Sequence, residues 1–180
     1  RRVLFRSIEL IKKCYKDYAS KLEHYDKINQ YYYGNTDSCK LFRQRLGRSN
    51  LKINTNFVQK LVDEEAQYSF GNAITYISKV NNANVVNDIE YALLNNKCDY
   101  DINLARELIN FGAEYEISYI DKQGKFKNKK VSPLNGYAYV EDDEVLCFLH
   151  IYNKQLDNKD YIDVYTDQYI LHFNDDFVQI

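Results

Sequence analysis

Two groups of carboxylates in this 180-residue chain have residue types that metal chemistry uses. Glu114 and Glu116, with Lys122 downstream, have the composition of a metal-dependent nuclease site, although any acidic strand edge gives the same pattern as often. The second group, residues 141–144 (EDDE), could bind a divalent ion through its oxygens. It lacks the alternating ligands and the trailing bidentate glutamate of a calcium loop. We therefore interpret it as an exposed hairpin tip.

A third group is basic and could bind anions. Between residues 40 and 52 there are five cationic side chains and no acidic one: Lys40, Arg43, Arg45, Arg48 and Lys52. They are candidates for contact with nucleic-acid phosphates or with the acidic part of a neighbouring copy. Residues 1–60 carry 14 basic and 5 acidic side chains, whereas residues 61–180 carry 10 basic and 21 acidic ones. An exposed basic loop remains the simplest interpretation.

The standard catalytic templates are absent from the sequence. It contains no phosphate-binding GxxxxGK[ST] loop, no GxSxG and no HExxH, and no histidine has a suitably spaced nucleophile. The cysteines are Cys14, Cys39, Cys98 and Cys147. They lie too far apart in sequence to indicate a zinc site, so we expect reduced thiols, with Cys147 buried. We predict that the chain is not an enzyme and uses no metal or cofactor.

The elements that position these residues follow from hydrophobic periodicity. Apolar side chains recur every three or four residues over 8–33, which predicts a long helix ended by Gly34. Its apolar face comprises Ile11, Tyr15, Tyr18, Leu22 and Tyr25. Further helices are expected over 56–70, 85–96 and 100–111, with a short strand over 74–78. Asn56 and Gln59 have the spacing of a capping box, and Phe57 and Val62 are expected in the core.

From residue 113 the apolar period changes to two, which predicts strands. They are expected over 115–119, 125–131, 136–140, 144–152, 161–166 and 168–173. The nearly continuous apolar run 145–151 is expected to be the central strand. Helices followed by a mainly antiparallel meander predict an α+β fold. The paired glutamates then lie at the start of the first strand, and the basic group lies in the connection after the first helix.

The sequence also predicts a division of the chain. Residues 1–7 (RRVLFRS) resemble a translated sequencing adapter and are expected to be non-native. Residues 8–52 form the long helix and basic connection, and residues 53–180 form an α+β domain. The absence of methionine and the many Asn, Lys, Ile and Tyr residues indicate an internal piece of a longer protein from an AT-rich genome. No apolar run approaches about 18 residues, so no membrane contact is expected.

Several motifs occur in an order that is typical of one family. They are residues 31–34 (YYYG), residues 54–76, residues 110–124 (containing the order Glu114-Tyr115-Glu116), Pro133-Leu134 and residues 161–167. Together they resemble the portal proteins of tailed bacteriophages, in the branch common in phages of Gram-positive hosts. Ala73 stands where proline is usual in that family. The resemblance covers residues 24–173.

The resemblance implies a structural protein and not an enzyme. Portal subunits form a ring-shaped, usually dodecameric homo-oligomer at one capsid vertex, through which viral DNA is packaged and ejected and on which terminase docks. The matching region is the family's N-terminal helical and wing part, so the stem and clip are expected beyond Ile180. The implied partners are other portal subunits, capsid or scaffold, terminase and DNA, and the implied location is the virion vertex, after assembly in the host cytoplasm. A metal-dependent nuclease and another phage head module remain alternatives.

Overall fold

The computed structural model describes residues 8–37, 41, 47, 55–72, 74–93, 99–156 and 159–180. Its helices are α1 (Ile8–Tyr32), α2 (Phe57–Phe70), α3 (Ala83–Leu93) and α4 (Tyr100–Phe111). Its strands are β1 (Tyr115–Ile120), β2 (Phe126–Val131), β3 (Gly136–Glu141), β4 (Glu144–Lys154), β5 (Lys159–Tyr165) and β6 (Ile170–Asn174). Helices thus precede antiparallel strands, and the predicted α+β class is confirmed.

The chain divides into two compact units. A sheet unit combines the chain up to Tyr25 with Val131–Ile180, and a helical unit comprises Asp26–Lys130. The boundary predicted between residues 52 and 53 stays a prediction, because the residues around it lie outside those described. No helix in the described part of the chain is long and apolar enough to cross a membrane.

The sheet unit is an antiparallel meander covered by α1 on one face. Its strand order is β3-β4-β5-β6, so the apolar run in β4 lies in the interior of the sheet as predicted. Because strand side chains alternate between faces, every second residue of β4 and β5 enters one core. That core contains Ile11 and Cys14 of α1 together with Cys147, Leu149, Ile162, Val164 and Phe173.

The α1 face agrees with the predicted helical stripe. Ile11 and Tyr18 are buried, and Tyr15, Leu22 and Tyr25 are half-buried. The Tyr18 hydroxyl donates to the Leu134 carbonyl at 2.5 Å, which fixes the helix to the loop before β3. Beyond α1 the chain turns at Gly34, whose φ of 78° favours glycine.

The helical unit is built around α2 and α4. Val62 and Ala66 of α2 and Ala105 and Phe111 of α4 are buried, and Gly112 ends α4 in the left-handed conformation. The strands β1 and β2 form a separate two-stranded sheet. The turn between them confirms the predicted hairpin: the Asp121 carboxylate accepts from the backbone N–H groups of Gln123 and Lys125.

Three local predictions are wrong. Residues 74–78 form no strand, because no described segment pairs with them, and Ile74 and Ile77 are exposed. Asn56 makes no capping hydrogen bond, because its side-chain amide donates to Gln59 Oε1 at 3.0 Å instead of accepting from the helix backbone. Phe57 is 63% exposed and does not belong to the core.

The predicted start of one helix also needs correction. The third helix begins at Ala83 and not at 85, because Asn82 Oδ1 accepts from the Val85 N–H at 3.4 Å and caps the helix earlier. Gly71 is the C-cap of α2, where it has right-handed backbone (φ −69°) and its N–H donates to Gln67 O.

Candidate interaction surface

The helical unit exposes many large apolar side chains. On α2 the exposed ones are Phe57, Val58, Leu61, Tyr68 and Phe70. The following segment exposes Ile74, Tyr76, Ile77 and Val80, and α3 exposes Val85, Ile89 and Tyr91. Although α3 has a strongly amphipathic sequence, none of its side chains is buried. We call this set of α2, connecting-segment and α3 side chains the exposed apolar surface. Large amounts of exposed apolar surface are typical of protein contact sites.

An ion pair fixes one face of α2 against α4. The Arg106 Nε of α4 donates to Asp63 Oδ1 at 2.6 Å, and the Tyr32 hydroxyl at the end of α1 donates to the same oxygen at 3.3 Å. Arg106 also donates to the Asn103 side chain on its own helix. Because Val62 and Ala66 lie beside Asp63 on the contact side, Leu61 and Tyr68 are left on the outside.

The environment of Asp63 perturbs its two partners in the expected directions. Burial raises the pKa of the Tyr32 hydroxyl, and the negative charge of Asp63 raises it further. The hydrogen bond to Asp63 raises the pKa of Arg106, which keeps the guanidinium charged. The arrangement holds three helices together and offers no nucleophile or acid–base pair for catalysis.

Glu114 has the most perturbed carboxyl group of the candidate nuclease set. Both of its carboxyl oxygens are buried without a hydrogen-bond partner. Burial raises its pKa to about 7, the Glu107 charge adds to this, and Lys130 opposes it. The ammonium of Lys130 lies 4.0 Å from the Glu107 carboxylate. Glu114 is therefore a proton-holding side chain near neutral pH rather than a permanently charged ligand.

The structure does not assemble a metal-dependent nuclease site from the predicted residues. The charges of Glu114 and Glu116 instead affect Tyr100. Burial of the Tyr100 hydroxyl and these two charges raise its pKa to about 12. Lys122 lies in the turn after β1, and about 13 Å of extended strand separates Glu116 from the strand end at Ile120. Within the described residues no three His, Cys, Asp or Glu side chains are grouped so that they could hold a metal ion. The tip at residues 141–144 is exposed, as predicted.

The predicted basic site lies outside the described residues. Lys40, Arg43, Arg45, Arg48 and Lys52 all fall there, so their role stays a prediction. A shallow depression in the described part of the helical unit is lined only by polar side chains around Asp63 on α2 and its N-terminal flank. This depression offers hydrogen-bonding groups but no convergent catalytic set.

Two of the contacts that sequence reasoning missed involve polar and aromatic side chains. One is the Tyr32–Asp63–Arg106 contact, whose members are separated by 31 and 43 residues. The other is a row of aromatic rings across β4 and β5, in which His150 stacks on Tyr152 and Tyr152 stacks on Tyr161. Lys154 Nζ lies 3.8 Å from the centroid of the Tyr161 ring. The period-two spacing of residues 150, 152 and 154 was the available signal for the second feature.

Comparison with known families decides among the interpretations. The sequence matches the family model of phage portal proteins, SPP1 Gp6-like, over residues 11–179. The chain belongs to this portal family. The resemblance inferred from its motifs is thereby confirmed, and the match spans both structural units. No individual curated protein matches the chain significantly. Portal proteins are structural components of phage virions, which agrees with the structural character of the contacts around Asp63.

Proposed function

We propose that this portal-family chain is a structural subunit of the ring-shaped channel at one capsid vertex. In this role DNA passes through the ring during packaging and ejection, and terminase docks on the assembled ring. The observation that carries the proposal is the family match over residues 11–179. The exposed apolar surface supports it, since a subunit of a closed ring must bury part of its surface against neighbours.

The partners follow from the same role. They are further copies of the chain in a ring, proposed to be a dodecamer, together with capsid or scaffold, terminase and the viral DNA. The proposed location is the portal vertex of the virion, with assembly in the host cytoplasm. In this subunit, residues 8–52 would form the N-terminal helix and basic connection, and residues 53–180 would form the wing-like part. Residues 1–7 would not belong to the native protein.

The basic residues are assigned to contact between copies. The excess positive charge lies in the first third of the chain, which contains Lys40, Arg43, Arg45, Arg48 and Lys52, and the rest has excess negative charge. A head-to-tail contact would bring opposite charges together. Exposed charge pairs contribute only about 0–1 kcal/mol each, so this contact alone gives weak association that salt reduces.

The test is sedimentation velocity of the chain over a range of protein and salt concentrations. We expect association that increases with protein concentration and weakens with salt. Leu61→Glu places a charge on the exposed apolar surface and should reduce association without changing the thermal midpoint, because Leu61 is 64% exposed. The control is Leu156→Glu, at a fully exposed leucine of the sheet unit that lies outside the exposed apolar surface. A strictly monomeric wild type at low salt, or equal effects of both variants, would contradict the proposal.

A separate assay addresses the nuclease alternative. Incubation of the chain with double- and single-stranded DNA in Mg²⁺ or Mn²⁺ should leave the DNA intact, since the candidate acids are not grouped with Lys122. Metal-dependent cleavage that disappears in Glu116→Ala would overturn the structural role.

A further inference from the structure

Two thiols that are far apart in sequence meet in the core of the sheet unit. Cys14 lies on the inner face of α1, and Cys147 lies on the inner face of β4, opposite Tyr139 of β3. Both are free cysteines, with 1% and 2% of their surfaces exposed, and both belong to the same core cluster. Their side chains hydrogen-bond to each other. The pair therefore lies where α1 packs on the sheet, within one buried core.

The hydrogen bond makes the two sulfurs unequal. It lowers the pKa of the Cys14 thiol, with a smaller contribution from Lys13, while burial and Asp17 act in the opposite direction. The same hydrogen bond, together with burial, raises the pKa of Cys147. The lowered pKa favours the thiolate form at Cys14, and the raised pKa keeps the proton on Cys147. Such an arrangement of an attacking and a resolving thiol is what disulfide exchange requires.

We propose that Cys14 and Cys147 form an oxidation site that closes to an intramolecular disulfide on reaction with a small-molecule disulfide such as oxidised glutathione. The Cys14 thiolate attacks one glutathione sulfur, forms a mixed disulfide and releases one glutathione thiolate. The Cys147 thiol then loses its proton and attacks the Cys14 sulfur, which releases the second glutathione. The two protein thiols are oxidised, the glutathione disulfide is reduced to two thiols, and both protons end on glutathione.

The bond would tie α1 to the interior of the sheet. It would close a loop that contains most of the chain, which restricts the unfolded state and stabilises the folded one. Because both sulfurs are buried, the first attack has to proceed from a transiently opened core, so oxidation should be slow.

A consequence for the virion rests on the proposed function. In the host cytoplasm, glutathione and thioredoxin keep such a pair reduced, so assembly would use the dithiol form. A particle released into an oxidising medium would be able to close the bond after assembly. The chemistry itself is tested on the isolated chain, and its outcome does not depend on ring formation.

The experiment uses a variant in which Cys39 and Cys98 are replaced by serine, so that only the pair remains. After incubation with oxidised glutathione, we expect a mass lower by two hydrogens, no thiol reactive to Ellman's reagent after unfolding, and a non-reducing peptide map that links the peptides of Cys14 and Cys147. The thermal midpoint should rise by at least about 5 °C and return to its initial value after reduction.

Two controls make the test specific. Cys147→Ser in the same background should give no linked peptide and no rise in the thermal midpoint. Wild-type chain, mapped without substitution, serves if the serine variant does not fold. Two unmodified thiols after prolonged oxidation would overturn the proposal, as would stable glutathione adducts on both sulfurs. A linked pair that lowers the thermal midpoint would also overturn it, because the native positions would then not accommodate the bond.

Discussion

Replacing Glu114 with glutamine should change how the stability of the chain depends on pH. The folded protein raises the pKa of this carboxyl group from 4.5 to about 7, chiefly by burial and secondarily by the Glu107 charge. The unfolded chain therefore loses the proton near pH 4.5, while the folded chain keeps it until about pH 7. The stabilisation present below pH 4.5 is lost as the pH rises through 7. Glutamine stays neutral throughout and avoids this loss.

The size of the effect follows from the pKa difference. Each pKa unit corresponds to about 1.4 kcal/mol, so the interval from 4.5 to about 7 sets a ceiling near 3.4 kcal/mol. Glu114 is only partly buried as a residue, although its oxygens are covered, and solvent screening reduces the effect. We expect the free energy of unfolding of Glu114→Gln, relative to wild type, to increase by about 1–2 kcal/mol between pH 4.5 and pH 8.5.

The assay is urea unfolding of both proteins at closely spaced pH values, followed by far-ultraviolet circular dichroism. The difference between the two proteins removes the contributions of all other titrating groups. The matched control is Glu116→Gln, which removes a carboxylate from an exposed position two residues away. A stability difference for Glu114→Gln that is constant from pH 4.5 to 8.5, or one that falls as the pH rises, would refute the reasoning.

Further substitutions test contacts and turns that lie within each of the two units. A double-mutant cycle of Asp63→Asn and Arg106→Gln should give a coupling energy of about 1 kcal/mol in urea unfolding. The distance between the paired atoms is short, but 41% of the Asp63 and 32% of the Arg106 side chain are accessible, which reduces the coupling. Additive effects would show that the ion pair does not contribute to stability. Tyr18→Phe should cost about 1–2 kcal/mol in the same assay, because it leaves the Leu134 carbonyl without its donor; a neutral substitution would indicate that water replaces the hydroxyl. Gly112→Ala should lower the free energy of unfolding by about 1 kcal/mol through the φ of 74° alone, since no atom lies within 4 Å of the added Cβ. By contrast, the added Cβ of Gly71→Ala would collide with the Gln67 backbone.

Local pattern was enough to predict most of the elements. The run 145–151 became the interior strand β4 because a strand covered on one face and flanked by two neighbours needs apolar side chains along its length. The α1 stripe was equally informative, since a helix packed on a sheet buries one face. The strand predicted over 74–78 was wrong because β-propensity gives no pairing partner, and a partner is a property of the whole fold.

The contacts that define the candidate sites could not be predicted from spacing. Asp63 meets Arg106, and Cys14 meets Cys147, only because separate elements pack together. Neither pair lies within one helical turn or one strand register, so no periodicity records it. The Asn56 side chain shows the same limit at short range. Its spacing to Gln59 fitted a capping box, but the amide bonded to the side chain instead of the helix N-terminus.

The exposed position of Phe57 is itself informative about assembly. An apolar stripe on a helix indicates that the face is buried somewhere, but the stripe does not distinguish the core of one chain from the contact between two. On α2, the Val62 and Ala66 side chains are buried within the unit, whereas Phe57, Leu61 and Tyr68 are exposed. Keeping three such side chains in water is unfavourable by about 1.5–3 kcal/mol for each one that a partner would bury. A contact with another copy in the proposed ring would bury such side chains and recover this free energy.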